Sequence, residues 1–157
     1  MKREEAKRED TWALEDLYAT EAEYQADFHT LKDEIRAFRA YQGRLSENAG
    51  LLLQALEAFS KMSLRNERVY VYANQCMHQD MGNHQYQKMA LEAQNLMNQL
   101  NMAIAFLEPE LIRIPEGRLE EFMAEEKELR KYRRFLDEIL RKKSHTLSED
   151  GEALMAR

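Results

Sequence analysis

Four histidines and one cysteine are the side chains here best suited to chemistry near neutral pH. Zinc hydrolysis is the first chemistry to test. The H-E-x-x-H pattern sets two imidazoles one helical turn apart, with a glutamate placed to take a proton from metal-bound water. His29, His78, His84 and His145 are followed by Thr30, Gln79, Gln85 and Thr146, so the pattern is absent. Cys76, His78, Asp80 and His84 are all ligand types. On a helix, positions two apart point about 200° apart around the axis. Cys76 and Asp80 therefore share a face, His78 does not, and Gly82 separates His84 from the rest. The set reads as a buried small thiol beside exposed polar residues rather than as a metal site. A cysteine nucleophile needs a base and an orienting partner. Cys76 could recruit these only through folding, and a lone cysteine in a helix reads as inert packing. No G-x-G-x-x-G or G-x-x-x-x-G-K run is present to cradle a phosphate. No catalytic residue and no metal ligand is assigned, and substrate-binding residues stay open.

Charge is the other chemical resource. Residues 108–126 hold seven acids and two bases, whereas residues 127–143 hold eight bases and three acids. The basic run (Lys127, Arg130, Lys131, Arg133, Arg134, Arg141, Lys142, Lys143) has the charge to grip phosphates. It also has the charge to pair with the acidic segment before it. The net charge of −6 favours the second reading and argues against a nucleic-acid binder.

Helices must position these residues. Thr11–Tyr18 offers Trp12, Leu14, Leu17 and Tyr18 as anchors, after a charged start expected to be frayed or solvated. Thr20 with Glu23 forms a capping box. Tyr24, Phe28, Leu31, Ile35 and Phe38 then lie on one face, with Gly43 as a C-cap. Ser46 is the expected cap of the next helix, which carries Leu52, Leu56 and Phe59. Ser63 is a point of bending or restart, and the helix runs on to Gln79. Val69–Tyr72 has β propensity, but its flanks favour helix. After Gly82-Asn83, the stripe Tyr86, Ala90, Ala93, Met97, Leu100, Ile104 and Leu107 marks an amphipathic helix ended or kinked by Pro109. Pro115 suits the first turn of a helix bearing Leu119, Phe122 and Met123. Another carries Leu129, Tyr132, Leu136 and Ile139, and Ser148 starts a last one. Met89, Met97 and Met102 read as core filler.

Composition agrees. Five glycines and two prolines in 157 residues are too few for a turn-rich all-β fold. The expectation is one all-α domain over residues 1–157, an antiparallel bundle-like array of about six or seven helices. The single cysteine rules out an internal disulfide framework and suits a reducing compartment. The longest apolar run, Met102–Leu107, is far short of the roughly 20 residues that span a bilayer. The start lacks the apolar core of a secretory signal. A cytoplasmic protein with no membrane partner is expected.

Four strings carry a family resemblance: Thr11-Trp12-Ala13-Leu14-Glu15-Asp16-Leu17-Tyr18, Leu64-Arg65-Asn66-Glu67-Arg68-Val69-Tyr70-Val71-Tyr72-Ala73, Phe106-Leu107-Glu108-Pro109-Glu110, and Ile139 through Glu149. In this order they resemble the N-terminal portion of oligoendopeptidase F, a thimet-oligopeptidase-like zinc metallopeptidase family. Ala19 and Ser144 stand where the family pattern has proline. The resemblance implies an all-α N-terminal lobe that helps wall a deep cleft for short peptides. It implies zinc for the full-length enzyme, held by two histidines of H-E-x-x-H and a further glutamate in the C-terminal part. No position here matches those residues, so none is carried over and no cofactor is assigned to this chain. The implied partner is the catalytic lobe, with peptides bound through the assembled cleft. The chain then reads as a fragment or truncated homologue, inactive alone. The alternative is a stand-alone helical interaction or oligomerisation module using the Tyr86–Leu107 stripe. Oligomeric state stays open.

Overall fold

The computed structural model describes residue 7, residues 11–115 and residues 117–142. The readings made for the other N-terminal residues, for Lys143 and Ser144, and for the helix start at Ser148 lie outside them. Every regular element among the described residues is helical: α1 (Glu21–Phe38), α2 (Ala49–Gln79), α3 (His84–Ile104), α4 (Leu107–Arg113), α5 (Arg118–Glu125) and α6 (Arg133–Lys142). Short 3-10 segments lie at Leu14–Asp16, Arg39–Tyr41 and Lys127–Tyr132. The all-α reading holds, and Val69–Tyr72 lies within α2.

The chain divides into two compact units. The first takes the residues up to Ala40 together with Glu57–Ile104, and the second takes Tyr41–Leu56 and the residues from Ala105 onward.

In the first unit, α1 starts with the Thr20 half of the capping box, while Glu23 reaches back one residue further than the box requires, to Ala19. The Glu23 N–H donates to Thr20 Oγ1 at 3.2 Å, and Glu23 Oε2 accepts from the Ala19 N–H at 3.0 Å. Tyr24, Leu31, Ile35 and Phe38 are buried, each contributing roughly 1.5–3 kcal/mol of transfer free energy. Phe28 is only half-buried. Tyr18, Tyr24 and Tyr72 stack edge-on or tilted at 5.1–5.7 Å between ring centroids. Trp12 is not an anchor: it is 59% exposed, and Leu14 and Tyr18 fill the core instead. Ser63 does not interrupt α2, because it continues the α-helical ladder from Ala49 to Gln79. Between α2 and α3 the chain breaks at Gly82-Asn83 as expected, and Asn83 Oδ1 accepts from the Gln85 N–H at 2.9 Å at the start of α3.

The α3 stripe is rotated by about one residue from its sequence reading. Ala90, Ala93 and Leu100 are buried as expected, but Leu96 and Ala103 complete the buried line, while Met97 and Ile104 are half-exposed. Met89 is core, whereas Met102 is 70% exposed and fills nothing. α3 ends at Ile104, ahead of Pro109, and Leu107 opens α4. Pro109 then sits in the first turn of α4, where a missing N–H costs no hydrogen bond.

In the second unit, Gly43 has φ +79° and follows the 3-10 segment rather than α1 directly. Asn48, not Ser46, caps α2. Its Oδ1 accepts from the Leu51 N–H at 2.9 Å, the third helical position, which Ser46 is too far upstream to serve. Pro115 precedes α5 instead of opening it. Gly117 at φ +85° is the N-cap, and α5 buries Leu119, Phe122 and Met123. The last expected helix is two elements, a 3-10 segment holding Leu129 and then α6 holding Leu136 and Ile139, all three buried.

Candidate functional site

The ligand-type cluster does not assemble. Cys76 is buried on α2, while His78, Asp80 and His84 are exposed. Asp80 Oδ1 accepts from the Gly82 N–H at 3.1 Å and shapes the turn. Among the described residues, no group of three or more His, Cys, Asp or Glu is placed to hold a metal ion. These residues therefore do not fit a zinc site. Cys76 lies beside the Tyr72 phenol, which burial first and then Cys76 push up to about 12. That phenol is protonated at neutral pH and takes no proton from the thiol.

The basic run meets the acidic segment. Arg133 Nη2 reaches Glu120 Oε1 at 2.9 Å, and Lys142 Nζ reaches Glu108 Oε1 at 3.0 Å. Arg134 pairs with Glu138 at 3.0 Å, and Lys131 with Glu128 at 3.7 Å, each within its own segment. All are exposed pairs of small individual worth, about 0–1 kcal/mol. The pairing of the two charge blocks was legible from the net charges alone.

The polar network that sequence reasoning missed lies in the first unit. Asp27 and Glu34 stand about two turns apart on α1. Lys61, Arg65 and Arg68 follow a 4, 3 spacing on α2. Arg65 Nη1 binds Asp27, Arg65 Nε donates to Glu34 Oε2 at 3.1 Å, and Lys61 Nζ lies 3.1 Å from Glu34 Oε1. Arg65, Asp27 and Glu34 side chains are 19%, 18% and 22% exposed, so solvent screens them only in part. The Tyr18 O–H donates to Asp27 Oδ2 at 2.9 Å. Burial first, and then this bond, push that phenol well above its ordinary range. Arg68 lies over the Tyr18 ring at 4.8 Å and donates to the Leu17 carbonyl at 2.7 Å. Opposite charges at helical spacing on two neighbouring helices were the available signal.

This network clasps together the first two resemblance strings, through Leu17 and Tyr18 on one side and Arg65 and Arg68 on the other. The third and fourth strings meet in the second unit, through Glu108 and Lys142, while Glu110 accepts from the Gly43 N–H. These contacts hold elements of each unit to one another.

Among the described residues, both units carry a hollow. In the first, a groove of about 340 Å³ is bordered by Glu21, Gln25, Tyr72, Tyr86 and Glu92. In the second, one of about 420 Å³ is bordered by Ile114, Pro115, Leu119, Met123 and Leu140. The stripe on α3 is not an open docking face, since Ala90, Ala93 and Leu100 are covered within the molecule. No described helix is long and apolar enough to cross a membrane.

A family model described as Oligopeptidase F matches residues 110–157. The chain is 38% identical to oligopeptidase PepF of Bacillus subtilis over 154 residues, covering 98% of this chain and 23% of that protein. It is 31% identical to the group B oligopeptidase PepB of Streptococcus agalactiae, covering 92% of this chain and 24% of that one. The structure of oligoendopeptidase-F from Enterococcus faecium superposes with a TM-score of 0.73 at 28% identity, over 87% of this chain and 27% of that chain. A structure from Chlamydophila abortus superposes over 99% of this chain and 26% of that one, with a TM-score of 0.83 at 22% identity, and supports the fold alone. The chain thus spans about a quarter of the length of its relatives. By these matches the chain is homologous to the N-terminal quarter of oligoendopeptidases F.

Proposed function

We propose that this chain is the N-terminal helical lobe of a zinc-dependent oligoendopeptidase that hydrolyses short peptides. On this reading residues 1–157 act as one lobe of a cytoplasmic enzyme, a bundle of antiparallel helical neighbours. The lobe packs against a catalytic lobe that supplies the zinc and its ligands, and together they wall the peptide cleft. The observation that carries the reading is similarity over 98% of this chain to a protein named as an oligopeptidase, of which it spans 23%. The geometry supports a scaffold role. Arg65 and Lys142 tie separate elements together, and among the described residues no group of three or more ligand-type side chains is placed for a metal.

The test is direct. The purified chain, with zinc supplied, is incubated with a quenched fluorogenic peptide and its metal content is measured. No cleavage and no stoichiometric zinc are expected. Chelator-sensitive cleavage by the chain alone overturns the proposal.

A further inference from the structure

From Ala93 to Ile104, α3 has no charged residue. A third of the whole chain is charged, so about four charges are expected in a stretch of that length, and depletion of charge is the compositional mark of an interface core. α1 behaves differently and exposes Glu21, Glu23, Asp33 and Arg36. What α3 exposes over this stretch is Asn95, Asn98, Gln99, Asn101 and Met102. Leu91, 61% exposed, and Met102, 70% exposed, stand about three turns apart on one side, with Asn95 and Asn98 between them. Asparagine is a poor helix former. In mid-helix it caps nothing, and apart from Asn98, which accepts from the Gln94 Nε2 amide at 3.2 Å, solvent exposure alone gives no reason to prefer it over lysine or glutamate. Amide side chains both donate and accept. Such a side, with methionine and leucine at its ends, fits an uncharged protein surface.

We propose that the Leu91–Met102 side of α3 is where the remainder of a full-length oligoendopeptidase packs on this lobe. The occupant follows from length. The chain spans 23% of its Bacillus relative and 27% of the Enterococcus chain, so most of such a protein lies beyond it and must cover part of its surface. A covalently tethered lobe needs no charge to steer its docking, whereas an independent partner gains from it. The contacting surface is expected to present amide, hydroxyl and aliphatic groups. The inference rests on the proposed function.

The chain is grafted in place of the N-terminal quarter of the Bacillus relative. Asn98→Cys and, as control, Arg36→Cys are made in the isolated chain and in the graft, and maleimide labelling of each position is followed by peptide mass spectrometry. Both positions should label at similar rates in the isolated chain. In the graft, Asn98→Cys should label at least ten times more slowly, with Arg36→Cys unchanged. Equal rates at position 98 in a graft that hydrolyses peptide overturn this inference and leave the proposed function standing. A folded graft that hydrolyses no peptide overturns the proposed function and this inference together. Protection of position 98 in an isolated chain that sediments as a dimer assigns the face to a second copy and also overturns it.

Discussion

Replacing Asp27 with alanine tests the clasp of the first unit. The carboxylate accepts from the Tyr18 O–H at 2.9 Å and binds Arg65, with Arg68 Nη1 3.6 Å away. Tyr18 is only 4% exposed, so its orphaned hydroxyl costs about 1–3 kcal/mol. Arg65 keeps Glu34 but loses its second carboxylate. A fully buried pair costs about 3–5 kcal/mol to break. At 19% and 18% exposure, with Glu34 still present, about 1 kcal/mol is the screened figure. The loss is then about 3 kcal/mol, or a fall of roughly 6–12 °C in the melting temperature for a chain of this size. Near-ultraviolet circular dichroism of the Tyr18, Tyr24 and Tyr72 cluster follows the melt. A double-mutant cycle with Arg65→Ala should return at least about 1 kcal/mol of coupling. A change within about 0.5 kcal/mol of the parent, or strict additivity with Arg65→Ala, refutes the clasp.

Asn48→Ala should destabilise by about 1 kcal/mol in a urea melt while Ser46→Ala changes little, because only Asn48 reaches the N–H of the third residue of α2. Phe122→Ala, at a fully buried ring in the second unit, should cost about 3–5 kcal/mol, read from the same melts. Ultraviolet titration of the tyrosines should show a late class, with Tyr72 near 12 and Tyr18 and Tyr24 also raised, chiefly by burial. Their folded values lie above the unfolded value of about 10, so the stability they add is whole below pH 10 and is lost as pH rises toward 12. Full ionisation of all tyrosines near pH 10 in the folded protein contradicts that burial.

What the sequence made legible was local. The Thr20 cap of α1 and the break at Gly82-Asn83 depend on side chains reaching nearby backbone, and both formed, although Glu23 closes on Ala19 rather than on Thr20. The helical period of α1 fixed four of its five core positions, because a helix has only one way to bury such a stripe. The misses needed tertiary information. Ser46 and Asn48 are both good N-cap types, and the choice depends on where α2 begins. Trp12 has the larger apolar surface, yet Leu14 and Tyr18 hold the core positions beside α1 and α2. In α3, alanines at 90, 93 and 103 leave the stripe broad, so neighbouring residues set its centre. The Asp27–Arg65 clasp joins residues 38 apart and becomes visible only when two helical faces are laid together. The absence of H-E-x-x-H is plain in the sequence alone, because the pattern is contiguous and needs no fold to be recognised.

The most direct test of the account is peptide hydrolysis by the Bacillus relative whose N-terminal quarter has been replaced with this chain. The account predicts chelator-sensitive hydrolysis of a quenched fluorogenic peptide by the graft, and none by this chain alone. A graft that folds and binds zinc but leaves the peptide intact contradicts it.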